Sequence, residues 1–132
     1  MQPKRFHILI LLTALFILLL SSCVSQVYPS MLGKWEVFIY IVAPHGIFLD
    51  FYITNQSGGV FSGEVVGPGS VGTLFGLVQP NGSVSIAVYD TEHSTDSISF
   101  QGAMISNNDM SGDLTMLKSG EILFTAFWTA HR

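Results

Sequence analysis

The sequence predicts an all-β domain, an eight-stranded antiparallel up-and-down β-barrel, preceded by a short N-terminal signal helix. Three observations carry this. After Leu20, turn residues recur about every 10 to 15 positions and separate runs rich in Val, Ile, Phe and Tyr. Several of those runs alternate apolar and polar residues with period two. Glycine also recurs inside them, at Gly63, Gly76, Gly102 and Gly112, where it fits a strand that bends sharply.

The first strand, Lys34–Val42, follows Gly33 and sets Trp35, Val37, Ile39 and Ile41 against Glu36, Phe38 and Tyr40. Pro44-His45-Gly46 turns the chain into the second, Ile47–Thr54, and Gln56-Ser57-Gly58-Gly59 into the third, Val60–Gly67. The fourth, Gly72–Gln79, lies between Gly67-Pro68-Gly69-Ser70 and Pro80-Asn81-Gly82. In the fifth, Ser83–Asp90, Val84, Ile86 and Val88 alternate with serines and an alanine. Beyond Thr91–Asp96, the sixth strand, Ser97–Ile105, places Ile98, Phe100, Gly102 and Met104 on one face. Met110, Gly112, Leu114 and Met116 repeat the pattern in the seventh, Asp109–Leu117, and Lys118-Ser119-Gly120 leads into the eighth, Glu121–Ala130.

Alternation of this kind gives each strand one buried and one wet face. Connections this short pair consecutive strands as hairpins. An open meander would leave two exposed edges that invite aggregation, so closure into a barrel follows; a sandwich of two four-stranded sheets is the other arrangement open to the same strands.

The N-terminal region has a separate logic. Lys4 and Arg5 precede an apolar run from Ile8 to Leu20, a layout of export signals. A helix of those residues would be about 20 Å long, shorter than a bilayer core of about 30 Å. Leu20-Ser21-Ser22-Cys23 resembles the lipobox of bacterial lipoproteins, which implies cleavage before Cys23 and lipidation of that cysteine. Cys23 is also the sole cysteine, so no intramolecular disulfide competes for it. The resemblance divides the chain into a signal peptide (1–22), a lipidated cysteine with its tether (23–32) and a barrel domain (33–132). It implies a location in the bacterial cell envelope, held to the membrane through lipid. Val24 follows the cysteine where an inner-membrane retention aspartate would stand, which favours the outer membrane in a Gram-negative cell.

Charge narrows the partners. Of the five Lys and Arg residues, Lys4 and Arg5 fall in the signal region, leaving Lys34, Lys118 and Arg132 against nine acidic residues. Without a basic stripe, nucleic acid is not an expected partner. About 110 residues after Ser22 suffice for one domain.

Gly33-Lys34-Trp35 at the start of the first strand and Arg132 at the end of the last resemble the lipocalin and avidin superfamily, in which a Gly-x-Trp motif and a stacked arginine close one end of a small barrel. The resemblance implies a barrel-closing role for Gly33, Trp35 and Arg132. It does not extend to biotin: the first strand offers Val37, Ile39 and Ile41 beside Trp35, with no convergent donors and acceptors for a ureido group.

Two non-catalytic functions follow. An apolar interior lined by Val37, Ile39, Phe61, Phe100, Met104, Leu114 and Phe124 suits a small hydrophobic ligand, a cavity of about 300 Å³ or more being the expected sign of one. A filled barrel would instead act as a scaffold, through an outer patch of Phe38, Tyr40, Leu123 and Phe127 that contacts a second copy or an envelope protein. Enzymatic chemistry finds little support. A serine nucleophile needs a histidine and an orienting carboxylate in contact, and His45, His93 and His131 sit singly at loops or the terminus, without metal-ligand spacing. No metal or cofactor is expected; the acidic loop from Asp90 to Asp96 lacks an EF-hand pattern.

Overall fold

The computed structural model describes residues 11–13, 17, 25–41, 46–90 and 96–132. Cys23, His45 and His93 lie outside them, as does most of the signal region, where only 11–13 and 17 are described, as helix. Among the described residues, no helix is long and apolar enough to cross a membrane.

Eight strands follow one another: β1 (Gly33–Tyr40), β2 (Gly46–Ser57), β3 (Val60–Gly67), β4 (Ser70–Val78), β5 (Ser83–Asp90), β6 (Asp96–Met104), β7 (Asp109–Lys118) and β8 (Glu121–His131). Each pairs antiparallel with the next, and β1 pairs with β8, from Glu36↔His131 to Tyr40↔Phe127, to close the barrel. The sandwich is thereby excluded. β2 runs three residues beyond its expected end because the register shifts between Ile53 and Asn55, and such an extra residue bends a strand without ending its pairing.

Alternation places Trp35, Val37, Ile39, Phe51, Ile53, Phe61, Leu74, Ile86, Phe100, Leu114 and Trp128 in the core. Phe100 joins the two sides of the interior, meeting Phe51 and Trp128 edge to face with both centroids 5.3 Å away. No polar or charged residue is buried among those described. The interior glycines make room: the Phe61 ring lies where a side chain at Gly76 would stand, and Gly102 pairs with Gly112 where β6 and β7 approach too closely for either to carry a β-carbon.

The barrel has two unlike ends. At one lie the start of β1, the turns after β2, β4 and β6, and the C-terminus. At the other lie the ends of β1, β3, β5 and β7, with the turns 68–69 and 119–120.

Candidate functional site: a sealed end and an apolar mouth

The sealed end is built around Trp35. Its indole is fully buried, and Nε1 donates to the Met31 carbonyl at 2.8 Å. Above the ring lies Arg132, its guanidinium carbon 4.6 Å from the centroid. Nη1 of Arg132 donates to the carbonyls of Ser30 (3.0 Å) and Leu32 (3.1 Å). Gly33 bends the chain into β1 at φ +115°, a backbone region that side chains disfavour.

Sequence reading treats 23–32 as a tether; the structure corrects this for its second half. Met31 is fully buried, and Gln56 grips the segment around it. The Gln56 Oε1 accepts from the Met31 amide at 2.7 Å, and its Nε2 donates to the carbonyls of Pro29 (2.9 Å) and Gly58 (3.0 Å). Tyr28 lies against Gly58 and Gly59 and packs on the core. Residues 28–32 are a cap on the barrel, driven by burial of Met31 and by the need of the Trp35 N–H for an acceptor.

Toward the other end, among the described residues, a cavity of about 210 Å³ is bordered by Leu49, Val65, Val88, Ile98 and Met116, with Ser70, Tyr89, Asp90, Asp96 and Ser97 at its rim. The residues expected to line a ligand site lie elsewhere: Val37, Ile39, Phe61, Phe100 and Leu114 are buried in packed core, and Met104 and Phe124 pack half-buried against it. None of the seven borders the cavity. They face inward as expected, but the rings of Phe51, Phe100 and Trp128 pack the middle of the interior, and the cavity is lined by other inward residues.

On the outer surface, Phe38 meets Tyr40 (4.5 Å between centroids) and Phe48 (4.6 Å), and Tyr40 meets Phe127 across the closing seam (5.5 Å). Leu123 is exposed on the same face of β8, past the last residue that pairs with β1. Phe48 completes the cluster that the patch reading assigned to Leu123. A broad, open depression of about 650 Å³ beside these rings includes Lys34, Glu36, Asp50, Asp109 and His131. It is larger than the mouth cavity but lies on the outside of the sheet.

Charged groups here pair with one another. Lys34 Nζ lies 3.2 Å from Asp50 and 3.5 Å from Glu36; its hydrogen bond to Asp50 raises the ammonium above its usual range. His131 Nδ1 lies 2.7 Å from Asp109. That hydrogen bond, with a second from Ser106, lowers the Asp109 carboxyl below its usual value. No group of His, Cys, Asp and Glu among the described residues is arranged to hold a metal ion.

Fold and site together define an antiparallel eight-stranded barrel, filled and capped at one end and holding a largely apolar cavity, among the described residues, toward the other. No protein-family model matches the sequence, and no curated protein matches it. A solved structure of EF1p2_mFAP2b bound to DFHBI is similar, with a TM-score of 0.58 at 15% identity over 77% of this chain and 93% of that one. At that identity the likeness is one of fold.

Proposed function

We propose that the protein is a lipid-anchored barrel of the bacterial envelope that binds, without catalysis, a small apolar molecule or the apolar end of a larger one at its mouth. The mouth cavity carries this reading: Leu49, Val65, Val88, Ile98 and Met116 give it a mainly apolar lining. At about 210 Å³ it falls short of the about 300 Å³ that encloses a drug-sized ligand. It exceeds the about 150 Å³ apolar cavity that takes up benzene. The bound group is therefore compact, and the rest of a longer ligand would pass Asp90 and Asp96 at the rim. The structural similarity to EF1p2_mFAP2b, bound to DFHBI, supports the reading, and the lipobox-like Leu20-Ser21-Ser22-Cys23 supports the anchor. Cys23→Ala abolishes fatty-acid labelling on this proposal, and unchanged labelling would remove the anchor.

Titration of the chain from Val24 onward with a hydrophobic fluorescent probe tests the ligand. One saturable site is expected, weakened about tenfold or more by Val88→Trp, which adds bulk where about 25 cal/mol per Å² of burial would be gained. Absence of saturable binding by the unaltered chain refutes it.

The cluster of Phe38, Tyr40, Phe48 and Phe127 favours a second reading, in which the filled barrel is a scaffold for a second copy or an envelope protein. Sedimentation decides it: association lost in a Phe38→Ser, Phe127→Ser double variant supports the scaffold, and a wild-type monomer with no partner on this face removes it.

A further inference from the structure

From the way the cap is fastened, we infer that the mouth opens away from the bilayer that holds the protein, so that the ligand exchanges with the aqueous side of the envelope and not with the lipids of that bilayer. The inference rests on the lipid anchor at Cys23 proposed above.

Three independent attachments fix where the chain leaves the barrel. Gln56 binds Met31 and Pro29, Arg132 binds Ser30 and Leu32, and Trp35 binds the Met31 carbonyl. With Met31 fully buried, residues 28–32 cannot peel away to lengthen the tether without opening the core. The free reach is then only the chain from Cys23 to Tyr28, at most about 18 Å when fully extended. By contrast, β1 has eight residues and, at a tilt of about 40°, stands about 20 Å tall. An inverted barrel, mouth against lipid, would need the tether to cover that height and the rim connections beyond it. The tether is too short, and the capped end must face the membrane.

Charge agrees with a mouth bathed in water. Asp90 and Asp96 border the cavity and Glu121 follows the turn after β7, against Lys118 before that turn, whereas a rim that met an anionic bilayer would gain from a basic excess.

The test uses full-length lipidated protein inserted into preformed vesicles of phosphatidylethanolamine and phosphatidylglycerol that carry an energy acceptor on the headgroups. Asn107→Cys at the capped end and Lys118→Cys at the mouth are both exposed positions. Each supplies the one reactive thiol for a donor dye, since the sulfur of a lipidated Cys23 is a thioether. Transfer from position 107 should exceed that from 118 by about twofold or more, for a height difference of about 20 Å. Ten Gly and Ser residues inserted after Ser25 should erase the difference. Equal or reversed transfer in the original chain overturns the orientation while leaving the anchor standing; failure to label with fatty acid or to float with vesicles overturns the anchor itself, and the orientation with it.

Discussion

Arg132 and Trp35, nearly a hundred residues apart in sequence, meet at the sealed end with the guanidinium carbon 4.6 Å from the indole centroid, and the same guanidinium holds the carbonyls of Ser30 and Leu32. A cation over an indole contributes about 0.5 to 2 kcal/mol, and hydrogen bonds of this kind about 1 kcal/mol each. Arg132→Ala should therefore cost about 2 kcal/mol or more, read as a lower urea midpoint at unchanged slope. Arg132→Lys should recover only part of it, because an ammonium lacks the planar surface that stacks.

Met31 is the second support of the cap. Met31→Ala empties a fully buried site and should destabilise the domain by about 2 to 4 kcal/mol. Gln56→Ala, which removes the acceptor of the Met31 amide, should speed hydrogen exchange at that amide. An amide still protected in Gln56→Ala would show that burial alone holds the segment.

Glycines divide into two kinds with different expected costs. At Gly112 a β-carbon would strike the Gln101 carbonyl and lie 2.5 Å from the Gly102 Cα, so Gly112→Ala should cost more than about 2 kcal/mol. Gly69 has open space around it but φ +75°, so Gly69→Ala should cost only about 1 kcal/mol. Thermal unfolding followed by circular dichroism ranks the two; the reverse order would contradict the close approach of β6 and β7.

The pair of Asp109 and His131 sets a pH dependence. Hydrogen bonds from His131 and Ser106 hold the Asp109 carboxyl below its ordinary value of 3.8. A depressed carboxyl stabilises the fold above its unfolded pKa and loses that contribution as pH falls through the folded value. In urea denaturation, Asp109→Asn should be less stable than the unaltered chain at about pH 6, and the gap should narrow as the pH falls below the ordinary carboxyl range. A gap that persists unchanged into acid would assign the difference to something other than this charge.

The strands were legible because period-two alternation survives along β5, β6 and β7, and because turn residues stand at each reversal. Alternation also assigned faces correctly: Trp35, Val37 and Ile39 point in, and Phe38 and Tyr40 point out. Height along the barrel was not legible. Whether Val65 or Phe61 borders a cavity depends on how Phe51, Phe100 and Trp128 stack across the interior, and that is settled by packing between distant strands. The cap escaped notice for a similar reason. A short stretch with Pro29 and polar residues reads as a linker, and the residues that hold it, Gln56 and Arg132, come beside it only once the barrel has formed.

Pairing of β1 with β8 also has a consequence in time. A chain made from its N-terminus exposes β1 first, yet one edge of that strand stays unpaired until Ala130 and His131 arrive. Closing so long a loop is entropically slow, and until then two sheet edges are open to other chains. The stretch Phe127–His131 thus decides whether the first strand is covered or left open to other chains: a nonsense codon before Phe127 would release a chain with nothing of its own to pair with that edge.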